Sequence, residues 1–446
     1  MTFSALDSAL LGPLFATDAM RACFSDEAKL AAMLTVEAAL ARAQTGLVPD
    51  GLAAALAALR PADLDTAALG RATALAGVPV IPFVQAVQQA LPAALGSGLH
   101  KGATTQDIMD TALVLQMRAA FGLIAAELGA LLDALAALAI VHRDTPCVGR
   151  TYGQHAAPLT FGFKVAGWLA GVADVAAQGA PARVLTVSLG GPVGTLAGLA
   201  ARGPDVADRF AQELGLGAAA ITWHTRRARM AAAGCWLALL TGALGKIAAD
   251  VASLASTEIG EVAEPHVPGR GGSSAMPHKR NPVSSTVILA AHAAAPGLAA
   301  TMLGAMAAAH ERPAGLWHAE WHALPQLFGL ASGALREARV LAEGLEVDAA
   351  RMLGNIGLTR GLLFADAAAA RLAGSLDRAA AHAAVEHAAG QVRQSGEALQ
   401  TVLARAHPAV DFAPAFDLGP AVAAAGPWVD RAVAEAAGVR KTLHPR

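Results

Sequence analysis

From Asn281 to His310 the chain carries no Asp, Glu, Lys or Arg. An uncharged stretch of this length restricts the fold more than any other feature. It far exceeds a typical strand, and its alanines, leucines and methionines favour helix. By length alone it could cross a bilayer. Ser284, Ser285, Thr286, His292 and Pro296 interrupt it, and small residues dominate. The expectation is a helix buried all round in a multi-helix bundle, at a subunit interface.

The rest of the chain supports a helical reading. Hydrophobic residues make up 55% but aromatics only 4%, so the apolar content is largely alanine and leucine rather than alternating β-branched residues. Ser25-Asp26-Glu27 reads as a helix start before Leu30, Met33, Leu34 and Val36. The periodicity predicts long helices near 106–143, 159–179, 226–256, 282–310, 322–344 and 359–373. Gly96-Ser97-Gly98, Asp144-Thr145-Pro146, Gly190-Gly191-Pro192 and the 265–272 stretch break the pattern. The expected class is all-α: three helical domains (1–105, 106–350 and 351–446) with a long central helix bundle.

Charge and cysteine usage narrow the function. The formal net charge is −2 over 446 residues, with no basic block, which argues against a nucleic-acid partner. Cys23, Cys147 and Cys235 lie too far apart for a metal or disulfide spacing. No ligand cluster has metal-binding spacing, so no metal or organic cofactor is expected. The reduced cysteines, and the lack of a signal-peptide pattern, fit a cytoplasmic protein without a membrane partner.

Three polar islands interrupt the apolar helices. The first is His100-Lys101-Gly102-Ala103-Thr104-Thr105-Gln106-Asp107. The second runs from Gly149-Arg150-Thr151-Tyr152-Gly153-Gln154-His155 to Gly162. The third is Gly271-Gly272-Ser273-Ser274-Ala275-Met276-Pro277-His278-Lys279-Arg280-Asn281-Pro282. Each is expected at a helix entrance, where free N–H groups and the helix dipole favour anions. Thr104 and Thr105 could simply cap a helix, and a Gly/Ser loop is often a linker. Three islands bearing hydroxyls and cations are better explained as one composite site.

The islands resemble motifs of the fumarase/aspartase superfamily. The third resembles its Gly-Ser-Ser-x-Met-Pro-x-Lys-x-Asn-Pro loop without a gap. The first resembles its His-x-Gly-x-Thr-Ser region, with Thr105 in place of Ser, and the second its Gly-Arg-Thr-His-x-Gln region. The resemblance implies a homotetramer whose long helices form the core, with active sites shared between three subunits. It implies cleavage or formation of a C–N or C–O bond beside a carboxylate, through a carboxylate-stabilised carbanion. Ser273 would then be the Cα acid/base, activated by the loop and by Lys279. Thr104, Thr105, Asn281, Thr151 and Gln154 would cradle the doubly negative intermediate. Ser274 and Met276 would line the substrate, and His100, Arg150 and Arg312 would meet the carboxylates of a small tricarboxylate.

Departures from the pattern narrow it further. Tyr152 stands where the superfamily usually has His, and Thr286 where it usually has the Glu that orients that His. Both halves of a general-acid pair are missing together. An amine or hydroxide needs protonation to leave. A carboxylate, with an acid pKa of about 4, does not. The chain therefore resembles the cycloisomerase branch, in which a carboxylate adds to a double bond of its own molecule. Adenylosuccinate lyases carry a catalytic His-Asp where this chain has Ile81-Pro82. Arg226-Arg227-Ala228 replaces the usual Gln-Arg-Asp, with an open consequence for substrate choice. Two alternatives remain: an amine- or water-eliminating lyase of the same superfamily, with Tyr152 or His155 as replacement acid, and a non-catalytic protein on this scaffold.

Overall fold

The hydroxyl of Ser25 accepts the N–H of Ala28 and starts α1, Asp26–Ala43, as the cap pattern predicts. In the computed structural model, which describes residues 3–179, 182–272, 275–276 and 278–443, six further helices build the main bundle. They are α2 (Thr105–Val141), α3 (Phe161–Ala177), α4 (Ala228–Leu254), α5 (Val283–Gly304), α6 (Leu316–Gly344) and α7 (Gly419–Thr442). At 1.5 Å per residue α2 spans about 55 Å.

The main core is built from rows of leucine on these helices. Leu128, Leu131 and Leu135 of α2 meet Leu237, Leu240 and Leu244 of α4 and Leu324, Leu327 and Phe328 of α6, all buried. Each such side chain contributes about 1.5–3 kcal/mol by leaving water. A second core joins α1 to Leu52, Leu56, Phe83 and Val87, and to Val206 and Phe210 of the Gly203–Leu214 helix. A third, small core gathers Leu372, Val385, Leu399, Leu403 and Phe412. After it, α7 returns to the main core through Val429 and Ala436.

Helix direction decides where the islands lie. Arg227, at the start of α4, and Trp317, at the start of α6, both bond Asp110 near the start of α2. Leu135 and Leu138 of α2, Ile247 and Val251 of α4, and Leu341 of α6 line one small apolar cavity near the other ends of these helices. So α2, α4 and α6 run parallel. One end of the bundle carries 100–107, 223–227 and 305–315. The opposite end carries 142–160, 255–282 and 345–348.

Three expectations need correction. The helix expected at 282–310 forms, but it is not buried all round. It buries Val287, Ile288, Ala291, Ala295, Ala299 and Met302 on α4 and α6, and leaves Ala290, Ala293, Ala294, Ala300 and Leu303 exposed. The helix expected at 359–373 is broken, because Arg360 (φ 52°) and Gly361 (φ 88°) turn left-handed. The second island does not simply open a helix. It is an antiparallel hairpin of β1 (Pro146–Thr151) and β2 (Gln154–Thr160), with Tyr152 and Gly153 both at positive φ in its two-residue turn. The hairpin then feeds α3 at Phe161. A short ladder of β3 (Val262–Ala263) with β4 (Glu346–Val347) is the other sheet among the described residues. By length and composition alone, α2, α4 and α5 could each cross a membrane.

Candidate active site

The first island is held by a buried carboxylate. Asp107 accepts the N–H of Thr104 at 2.9 Å, fixing the start of α2, and the N–H groups of Gly190 and Gly191 at 2.8 and 2.9 Å. His224 Nε2 lies 2.6 Å from the same carboxylate. Arg312, arriving from the α5–α6 turn, bonds Gln106 at 3.2 Å and the carbonyl of Pro192. His100 Nδ1 lies 2.7 Å from Glu37 of α1. Burial opposes a charge on this imidazole, but Glu37, with Asp107 beyond it, outweighs burial and holds its pKa above the ordinary histidine value. His100, Thr104, Thr105 and Arg312 therefore share one end of the bundle.

Beneath them lies a buried network. Arg227 donates to Asp110 at 2.7 and 3.1 Å and to Glu320 through Nε at 2.9 Å, and its guanidinium sits 4.9 Å from the Trp223 ring centre. Burial pushes the Glu320 carboxyl up, against the pull of Arg227. Trp317 is buried and donates to Asp110, and its ring meets the half-buried Trp321 edge-on. Arg226, the departure noted in the sequence, is exposed and bonds only the carbonyl of Ile221 at 3.3 Å.

The second and third islands both lie at the opposite end. Thr151, Tyr152 and Gln154 are exposed at the hairpin tip. Arg150 is not free for a substrate carboxylate. Both arms of its guanidinium engage the buried Glu261, at 2.6 and 3.0 Å, and Asn355 completes that carboxylate at 2.8 Å. The residue supports the hairpin. His155 beside it is pushed down by burial and by Arg150.

The third island wraps a cleft of about 490 Å³ lined by Glu264, His266, Arg270, His278, Lys279 and Asn281, among others. Its ends are pinned by the Asn281 N–H to the Gly271 carbonyl at 2.9 Å. Lys279 and Met276 are exposed on it. Ser273 and Ser274 lie outside the described residues. The start of α5 is not open to an outside anion, contrary to expectation. Glu264 already fills it, accepting the N–H groups of Ser284 and Ser285 and the Ser285 hydroxyl at 2.8–2.9 Å. Arg270 pairs with Glu337, and the exposed Arg280 pairs with Glu346 through two 2.8 Å contacts. Thr286 turns its hydroxyl back to the Pro282 carbonyl at 2.7 Å.

One protomer thus places the second and third islands at the same end but leaves the first about 55 Å away, at the far end of α2. Sequence reasoning missed Glu37, Asp107 as a hub, Glu261 and Glu264. For Glu37 a signal existed: a lone carboxylate inside the apolar run Met33–Leu40. Glu261 and Glu264 sit in a loop whose pairing no periodicity reveals. Among the described residues no group of three His, Cys, Asp or Glu side chains could hold a metal.

Comparison with known proteins fits this arrangement. Residues 15–297 match the profile of a family described as Lyase. A 3-carboxy-cis,cis-muconate cycloisomerase of Pseudomonas putida is 45% identical over 88% of this chain and 95% of its own. A nitrosuccinate lyase of Streptomyces davaonensis is 46% identical over 90% of this chain and 88% of its own. The crystal structure of the 3-carboxy-cis,cis-muconate lactonizing enzyme from Pseudomonas putida superposes with a TM-score of 0.92 at 43% identity, covering 97% of this chain and all of that one. With its loop motif, helical bundle and these relatives in agreement, the chain belongs to the lyase family of the fumarase/aspartase superfamily.

Proposed function

We propose that this enzyme is an intramolecular lyase interconverting 3-carboxy-cis,cis-muconate and 4-carboxymuconolactone in protocatechuate degradation. In the lactonising direction one substrate carboxylate oxygen forms a C–O bond to an alkene carbon. The alkene electron pair moves to the neighbouring carbon and is delocalised into that carbon's carboxylate. Ser273 then delivers a proton to that carbon; in reverse it removes it. Lys279 and Asn281 on the same loop, with Thr104 and Thr105, stabilise the doubly negative intermediate. The reacting groups belong to one molecule, which supplies proximity.

The observation that carries this reading is the absent acid. Tyr152 is fully exposed on the hairpin and Thr286 bonds its own helix, so the two positions form no imidazole–carboxylate pair. A carboxylate leaving group needs none. The same argument favours one second reading. Nitrite also leaves as an anion, and a relative 46% identical is a nitrosuccinate lyase. Elimination of an anionic group from a substituted succinate is the alternative.

The placement of the islands supports a shared-site assembly. A site that uses the first island needs a second copy lying antiparallel, so that the start of one α2 meets the 255–282 end of another. The exposed alanine face of α5 supplies a helix-packing surface for such copies. A homotetramer of three-domain protomers (1–105, 106–350, 351–446), with each site drawn from three copies, satisfies both. It works in the cytoplasm, without a membrane or nucleic-acid partner. Ser273→Ala tests the chemistry. Turnover should fall by orders of magnitude while the thermal melt is unchanged; full activity would remove Ser273 from the mechanism.

A further inference from the structure

The first island contains an imidazole–carboxylate pair whose glutamate, Glu37, has no part in the reaction as described. Glu37 is 1% exposed, between Val36 and the Ala38–Leu40 stretch of the N-terminal core. A carboxylate there is costly unless paired. Among the described residues its side chain bonds one group, Nδ1 of His100, at 2.7 Å. His100 itself adopts φ 57°, a left-handed backbone that few non-glycine residues take. A buried charge and a disfavoured backbone conformation therefore both serve one contact.

That contact is closed on one side only. Among the described residues nothing bonds Nε2 of His100, and its side chain keeps 20% of its surface open. The outer nitrogen therefore faces outward, on the same island as Thr104 and Thr105. The charged surroundings are one-sided too. Glu37 faces the ring from α1, and Asp107 acts on it from α2. Lys101 turns away to the carbonyl of Leu47, at 2.7 Å, and the Gly190–Ala200 loop carries no charged residue.

We infer that Glu37 is a positioning residue that holds His100 as an imidazolium, with its Nε2–H turned outward to grip one carboxylate of the substrate. The inference rests on the tricarboxylate reading above. It adds a specificity element on the first island: a substrate lacking a carboxylate at that place would leave a cation unpaired.

The test is Glu37→Gln, which keeps a hydrogen-bond acceptor but removes the charge. The His100 Cε1–H resonance of the substrate-free enzyme should titrate at lower pH than in the parent. KM for the muconate should rise about tenfold or more near pH 7, as expected for a lost charge-assisted hydrogen bond, with kcat changed less. In the parent, KM is low while His100 is protonated and rises with pH through its pKa; in the variant the rise should begin at lower pH. His100→Asn, whose side chain suits a left-handed backbone, provides a second variant on the surface side of the pair. It should show the raised KM with this pH dependence lost. Calorimetric binding of tricarballylate, an inert tricarboxylate, separates this inference from the proposed reaction. Weakened tricarballylate binding in both variants supports the grip even if the muconate is not turned over. An unmoved His100 titration in Glu37→Gln, or unchanged tricarballylate affinity in His100→Asn, would overturn it.

Discussion

The separation of the islands makes a quantitative prediction. Thr105 begins α2, and Lys279 lies on the loop at the opposite end, so about 55 Å of helix separates them in one chain. Lys279→Ala and Thr105→Val should each lower kcat by about a hundredfold or more, the usual cost of losing one group that stabilises a developing anion. Consider an equal mixture of the two variants, dissociated and reassembled so that subunits exchange. In the proposed assembly each site takes the third island from one copy and the first from another. The chance that both are intact is about one half times one half, so activity should recover to about a quarter of the parent's. The assay is turnover of the reassembled mixture against each variant treated identically. Recovery near a quarter supports sites shared between antiparallel copies. A mixture no more active than its components would refute the geometric argument, because it would place both islands of each site in one chain.

Other predictions concern the groups that hold the site. Arg227→Met strands Asp110 and Glu320 in the interior and should cost about 3–5 kcal/mol at pH 8. Without the cation, taking up a proton relieves a stranded carboxylate, so the deficit should shrink as pH falls toward 5, by up to about 1.4 kcal/mol per unit for each proton bound on folding. Guanidinium unfolding at pH 8 and pH 5 checks this, and equal deficits would contradict it. Glu264→Ala leaves the first N–H groups of α5 uncapped and should cost about 1–2 kcal/mol, with kcat falling as the third loop loses its anchor; an unchanged denaturation midpoint would contradict the capping role. Burial raises the Cys147 thiol to about 12. At pH 8 iodoacetamide should leave it unmodified in the native protein and alkylate it in urea, as peptide mass mapping would show; equal rates in both states would place the thiol outside the core.

Most helices were legible because their signals are local. Ser25 caps α1 as its sequence predicts, and α2, α3 and α4 begin and end within a few residues of the periodic pattern. The failures are those of non-local physics. The break near residue 360 depends on two left-handed residues, and only Gly361 advertises that conformation. The hairpin of the second island depends on Tyr152 accepting positive φ, which a bulky residue rarely does. Arg150 looked like a substrate ligand because the sequence cannot show that Glu261, far along the chain, already holds it. The anion site expected at the start of α5 failed for the same reason, since Glu264 occupies it. The paired loss of His and Glu at Tyr152 and Thr286 was fully legible, because it is a matter of residue identity and chemistry rather than of contact.

The central claim is that the leaving group is an internal carboxylate and therefore needs no acid. The most direct measurement is the loss of the ultraviolet absorbance of 3-carboxy-cis,cis-muconate on adding the enzyme, with nitrosuccinate, argininosuccinate, adenylosuccinate and fumarate run in parallel. The account predicts rapid loss with the muconate and no turnover of the nitrogen-linked amine or hydrated substrates. Turnover of argininosuccinate or adenylosuccinate without loss of the muconate would contradict it, and would mean that another group, Tyr152 first, has taken the place of the missing acid.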